Sequence, residues 1–423
     1  MKRFLLLLII ATSSAQAQEN ITLETVMLDA QAHHPVAAQE QLIRESEQQT
    51  IAALNRNYLP QIMVSGQMTT QSDVTELPIT IPFPGFSVEP LSKDQYRAVA
   101  EVQQPLFDGG TTQAMKSVSR AQAQIEESKR QVEWQKVRDR LRQLYLGILM
   151  ADEQIKQLNL VDADLQAGVT RMQSAVQNGI AFRSQLAQMQ AEQLRNQQRR
   201  ISLTSDRQYM LEALGMLTGK KYGTDIQLQI PAAAIASSYQ INRPELHLFD
   251  AQNSLIGSQR KNINSKVMPR LYLFGQSGYG RPGLNMLDNN PDWFYLGGAK
   301  LQWNLGALYS HWNERSANNI QQRIVASQRE AYTLGANMAV NQCIRESEKL
   351  NLLLQSDAQL IALREDIMRS SKAQLDNGVI TSADYIREVN AVDQARQQES
   401  LHRLQLVLVH LEFNDYTNTK TNP

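Results

Sequence analysis

The chain has 423 residues with 42 Lys plus Arg against 42 Asp plus Glu, so no bulk field draws it to nucleic acid or any other polyanion. Aromatics make up only 6% while Gln, Ala, Leu, Arg and Ser abound, the balance of long solvent-flanked helices, not of a thick globular core. The single Cys343 excludes an intramolecular disulfide and falls in a helical stretch, where it reads as a lone thiol with no redox role.

At the N-terminus, Met1-Lys2-Arg3, an apolar run from Phe4 to Ile10 and Ala15-Gln16-Ala17 before Gln18 have the form of an export signal over residues 1–17. No Cys follows the apolar run, so a lipid anchor is not indicated. No later stretch offers the 18 or more apolar residues of a spanning helix, so any entry into a membrane is by strands.

The rest of the chain is written twice. His33-His34-Pro35 recurs as Asn242-Arg243-Pro244, Tyr58-Leu59-Pro60-Gln61 as Val267-Met268-Pro269-Arg270, and Gln177-Asn178-Gly179-Ile180 as Asp376-Asn377-Gly378-Val379. Three landmarks in one order mark an internal duplication. We place the first repeat at 18–220, a linker at 221–240 and the second repeat at 241–423. Pro60 and Gly179 are 119 residues apart but Pro269 and Gly378 only 109, so the first copy carries the longer loop, assigned to the Pro-rich stretch Leu77 to Pro90.

Each copy first offers two strands. Gln61 to Thr70 and Tyr96 to Phe107 serve the first, with Tyr96, Ala98, Ala100 and Val102 alternating with a mostly polar face. The second copy has a strand from Arg270 and one over Trp293 to Leu305, where Trp293, Tyr295, Gly297, Ala299, Leu301, Trp303 and Leu305 share a face against Lys300, Gln302 and Asn304. The Trp pair, at about 3.3 Å per residue and a tilt of about 40°, spans roughly 25 Å, the height of the apolar band of an outer-membrane barrel with aromatic girdles at Tyr96, Trp293, Tyr295 and Trp303. Four strands per chain cannot close a barrel, so membrane insertion would force oligomerisation into a dimer, a trimer or a larger ring.

A very long helix follows each strand pair. From Gly110 to Val176 there is no Pro, and Leu141, Ile148, Ile155, Val169 and Val176 step by seven beside Leu144, Ala151, Leu158, Leu165 and Met172, a coiled-coil seam broken only at Asp162. In the second copy Leu353, Leu360 and Ile367 run beside Leu354, Ile361, Met368 and Leu375, a stripe wide enough for two neighbours. Asn178-Gly179-Ile180 and Asn377-Gly378-Val379 then end these helices in sharp reversals, each followed by another helix, from Phe182 to about Leu217 and from Ser382 to about Phe413.

The six His lie apart, with no HExxH or His-x-His; His33 and His34 point to different sides of a helix or stand at its start. No GxSxG, phosphate-binding loop or dinucleotide fingerprint is present, so neither enzyme activity nor a cofactor or metal is expected. An envelope coiled-coil structural or adaptor protein would explain the heptads and the leader but not the amphipathic strands.

The duplication, the strand openings at Leu59-Pro60-Gln61 and Met268-Pro269-Arg270, the exit Gln104-Pro105-Leu106-Phe107-Asp108-Gly109-Gly110 and the two Asn-Gly tips resemble the TolC family of outer-membrane efflux proteins over almost all of the chain after the leader. The resemblance implies a mainly α protein with a membrane β-barrel: a homotrimer with a twelve-stranded barrel in the outer membrane and a periplasmic α-barrel of twelve helices. It implies a passive exit duct that a periplasmic adaptor and an inner-membrane pump of RND, ABC or MFS type engage at the tips. A post-tip acid of the closed constriction in some relatives corresponds to Asp384, which becomes Gln185 in the first copy; where a second acid can occur, this chain has Arg387. The second strand exit departs from the family pattern as Gln302-Trp303-Asn304-Leu305-Gly306, an altered junction.

Overall fold

The structure is a computed structural model that describes residues 20–75, 90–236 and 238–417. The expected leader at 1–17, and 77–89 of the Leu77–Pro90 connection, lie outside the described residues. In chain order the elements are β1 (Asn20–Ile21), α1 (Leu23–His33), α2 (Pro35–Asn55), β2 (Gln61–Thr70), β3 (Asp94–Phe107), α3 (Thr111–Gln177), α4 (Arg183–Thr218), β4 (Gln227–Leu228), α5 (Pro244–Ser265), β5 (Arg270–Arg281), β6 (Asp292–Gln302), α6 (Ala307–Asp376) and α7 (Ser382–Thr417). Both repeat landmarks Pro35 and Pro244 stand at the first helical position, where the missing N–H and fixed φ fit without loss. His33 ends α1, and His34 caps it and stands directly before Pro35, where α2 starts.

The described residues form two compact units, one within Met1–Gln39, Arg130–Leu246 and Ala331–Pro423, the other within Glu40–Lys129 and His247–Glu330. The second unit holds a four-stranded antiparallel sheet in the order β2-β3-β5-β6. Its register puts alternate residues of every strand on one face: Val64 opposite Ala100, Ala100 opposite Ser277, and Ser277 opposite Tyr295. That face carries Ile62, Val64, Met68, Leu273, Tyr295 and Leu301 and is solvent-exposed in the protomer, Tyr295 to 85%. On the other face Gln276 donates to Glu101 at 2.8 Å and Arg97 lies 5.8 Å from the Phe294 ring centroid. Apolar groups cover the exposed side and charges gather on the opposite one, the reverse of a sheet standing alone in water. Among the described residues, the outer edges of β2 and β6 have no partner strand.

The strand expected to reach Leu305 stops at Gln302. Beyond it, Ala307 donates to the Asn304 carbonyl and Leu308 to that of Leu305, so the chain is already turning into α6. Trp303 therefore sits past the strand end, its indole Nε1 donating to the Val267 carbonyl at 3.0 Å.

In the first unit, the α3 seam is buried as the heptads predict. Leu141, Ile148, Leu158 and Leu165 are all at most 1% exposed, while Asp162 interrupts with a buried carboxylate oxygen that has no hydrogen-bond partner. Nearer the start of α3, Tyr145 places its hydroxyl 2.7 Å from the carbonyls of Ile21 and Gln229, beside the parallel β1–β4 pair; burial pushes this phenol up to about 12. The α6 seam differs from expectation. Its most buried rows are Ala336, Cys343, Leu350, Asp357 and Ser371, with Val340 and Ser347; of the expected stripe, Leu353, Leu354, Ile361, Met368 and Leu375 are half-buried and Leu360 and Ile367 exposed. The row was concealed because its polar members are satisfied across the hairpin: Asp357 by His402 Nδ1 at 2.6 Å, and Ser347 by His410 Nε2 at 2.8 Å.

Candidate functional site: the paired helical tips

Both long helices end in the same device. Gly179 and Gly378 have φ of 71°, a left-handed conformation in which a side chain is strained. Ile180 donates to the Ala175 carbonyl at 2.8 Å and Gly179 to that of Val176 at 3.1 Å; Val379 and Gly378 repeat this with Gln374 and Leu375 at 2.8 and 3.0 Å. These are Schellman motifs, which satisfy the last carbonyls of each helix. They leave Ile180, Phe182 and Val379 projecting into solvent, Ile180 to 81%. Asn377 adds a bond from Nδ2 to the Ala373 carbonyl at 2.8 Å.

The returning helices are capped by the candidate constriction residues. Asp384 Oδ2 accepts from the Thr381 backbone N–H at 3.1 Å and from its hydroxyl at 2.7 Å, while the Asp384 N–H donates back to that hydroxyl at 3.3 Å. This is a capping box, an arrangement that favours an acid at that position. Gln185 makes the return half of the same box, accepting from the Phe182 N–H at 3.1 Å, since Phe182 has no side-chain acceptor. The bonds from Thr381, and then Arg387 at 3.5 Å, hold the Asp384 carboxyl below the usual carboxylate range.

Side chains that sequence reasoning passed over join the two hairpins. Ser382, fully buried, donates its hydroxyl towards the Gln185 carbonyl at 3.3 Å and Gln188 Oε1 at 3.2 Å. Below it Tyr385, Val389, Val169, Met172 and Met189 form a separate apolar cluster. Tyr385 is 1% exposed with its hydroxyl unpartnered. The signal was present as Tyr385-Val389-Val392 at helical spacing, masked by the charged residues between them. Arg171 faces Asp376 at 3.9 Å beside the tips.

The aromatic candidates lie in the other unit, Tyr96 in β3, Trp293 and Tyr295 on the apolar face of β6, and Trp303 just past it. Among the described residues there is no group of three or more His, Cys, Asp or Glu that could hold a metal ion, and no helix is long and apolar enough to cross a membrane.

A four-stranded sheet with one apolar face and two long helical hairpins with matched turns define a duplicated-hairpin fold. Residues 26–220 match the family of outer membrane efflux proteins. The fold matches VceC of Vibrio cholerae with a TM-score of 0.69 at 13% identity, covering 93% of this chain and 95% of that one. It matches the outer-membrane channel OprN at 0.71 and 12% identity, with 93% and 89% covered, and CmeC of Campylobacter jejuni at 0.66 and 12%, with 94% and 87% covered. No curated protein is significantly similar in sequence. The family match over residues 26–220 and the fold match over nearly the whole chain agree in pointing to similarity with outer membrane efflux proteins.

Proposed function

We propose that three copies of the chain assemble into an exit duct through the outer membrane and periplasm, with no catalytic step of its own. The observation that carries this is the sheet with an apolar outward face and two open edges. A strand of 10 residues such as β2 presents about five backbone N–H and C=O pairs at its free edge, each costing several kcal/mol in lipid. Two such edges amount to tens of kcal/mol, more than the whole stability of a typical domain. Pairing β6 of one copy with β2 of the next removes them all, and three copies supply twelve strands. The resemblance in sequence and fold favours three over the other rings that close the edges.

In this reading the chain is two repeats, 18–220 and 241–423, joined by 221–240, and the hairpins of three copies make a twelve-helix periplasmic tube. The Asn178-Gly179-Ile180 and Asn377-Gly378-Val379 tips meet a periplasmic membrane-fusion adaptor, through which an inner-membrane pump of RND, ABC or MFS type supplies the energy. Their exposed apolar side chains, carried on rigid caps, suit docking between hairpin ends. Asp384, Arg387 and Gln185 stand near the constriction, and Tyr96, Trp293, Tyr295 and Trp303 meet outer-membrane lipid. Native mass spectrometry of the detergent-extracted protein tests the assembly: three protomers per particle is the expected mass, and a monomer would overturn it.

A further inference from the structure

We propose that the altered junction between β6 and α6 is a membrane anchor that sets the first two turns of α6 into the headgroup layer of the periplasmic leaflet; this rests on the barrel reading above. At the first junction, Asp108 closes a compact cap: its carboxylate accepts from the Gly110 N–H at 2.9 Å and the Thr112 N–H at 2.7 Å. A Cβ on Gly109 would come within 2.9 Å of the Met268 Cβ, so this turn is held tight against the chain. The second junction has neither this Asp nor a positive-φ glycine. It enters α6 through bonds from Leu308 to the Leu305 carbonyl and from Tyr309 to that of Gly306, both 3.1 Å.

What that turn presents is aromatic. Tyr309 is 89% and Trp312 70% exposed, three residues apart on one helix face, following on from Trp303 and Leu305 at 57% and 54%. At the corresponding places after Gly110 the first copy has Gln113 and Lys116, the latter buried with its ammonium 5.0 Å from the Tyr58 ring centroid. The second copy thus exposes an apolar, polar-tipped pair where the first keeps an amide and a tucked cation.

The occupant is lipid because exposed apolar residues run on in chain order from the apolar face of β6, Tyr295 and Leu301 being followed by Trp303, Leu305, Tyr309 and Trp312. Trp312 is the sixth residue of α6, about 8 Å along the axis from its start. A headgroup layer is roughly 5–8 Å thick on each side of the hydrocarbon core, so the pair falls within it and not in open periplasm. Tyr and Trp favour that depth, with the ring against acyl carbonyls and the O–H or N–H in water.

The test uses assembled protein in lipid nanodiscs carrying W134F, W293F and W303F, which leaves Trp312 as the only indole. Lipid brominated near the carbonyl end of its acyl chains should cut Trp312 emission by about two-fold or more, with weaker quenching by aqueous iodide. Strong iodide quenching without bromolipid quenching would place the residue in open water, and quenching by neither would put it under a neighbouring copy; both overturn the anchor. If the triple variant fails to assemble, the emission lost between wild type and W312F in the same discs gives the same reading. A companion variant, W134F with W303F and W312F, reports on Trp293. Bromolipid quenching of Trp293 but not of Trp312 refutes the anchor alone, whereas quenching of neither refutes the barrel reading itself.

Discussion

Replacing Tyr385 with Ala should loosen the helical tips and little else. The ring is 1% exposed and packs with Val169, Met172, Met189 and Val389 in a cluster that shares no residue with the two other apolar clusters of the helical unit. Truncating a fully buried aromatic removes packing worth about 3–5 kcal/mol, because rigid helices close only part of the cavity. At 1.4 kcal/mol per factor of ten, about 4 kcal/mol raises the open fraction of this segment roughly a thousand-fold. Amides in 165–192 and 365–392 should therefore exchange faster by two to three orders of magnitude, while those around Tyr145 stay protected. Tyr385→Phe should act in the opposite direction: the hydroxyl is buried without a partner, and removing it should stabilise the tips by about 1 kcal/mol. Hydrogen exchange read by mass spectrometry on the assembled protein decides. Equal loss of protection in both variants, or none in the Ala variant, would refute the assignment of Tyr385 as the apolar clamp.

Gly378→Val forces a β-branched residue into φ of 71° at a cost of roughly 1–2 kcal/mol with open space around it, so efflux should fall while membrane insertion persists; unchanged export with the same change at Gly179 would remove the tips from the docking role. Asp384→Ala deletes the capping acid and its bond to Arg387, and single-channel conductance should rise with loss of any divalent-cation block; unchanged traces would leave Asp384 as a helix cap only. Burial pushes the Cys343 thiol from 9.0 up to about 11, so the folded chain holds this proton more tightly than the unfolded one. The associated stability is complete below about pH 9 and is lost as pH rises through about 11; a C343A variant should lack that decline in its urea midpoint.

Much of this architecture was legible because it is periodic. The α3 seam steps by seven with apolar residues at every position but Asp162, and both Asn-Gly turns sit where left-handed caps were required. In α6 the most buried row escaped notice, since Asp357 and Ser347 look like surface residues until His402 and His410 arrive from α7, a pairing no local pattern encodes. Trp303 was assigned to a strand because alternation continues through it, but alternation does not register where backbone bonding changes from ladder to turn. Asp384 and Gln185 are singled out only by the family resemblance, through their spacing after each tip glycine, and the bonds from Thr381 and Phe182 give them a local structural reason.

The central claim is that the sheet spans the outer membrane with its hairpin connections outside and the helical tips in the periplasm. A membrane-impermeant maleimide applied to intact cells tests it, with M286C in the connection between β5 and β6 and I180C at the first tip, sites 63% and 81% exposed; buried Cys343 stays silent in both. The account predicts labelling of M286C on intact cells and of I180C only after the outer membrane is permeabilised. Labelling of I180C alone on intact cells would contradict it.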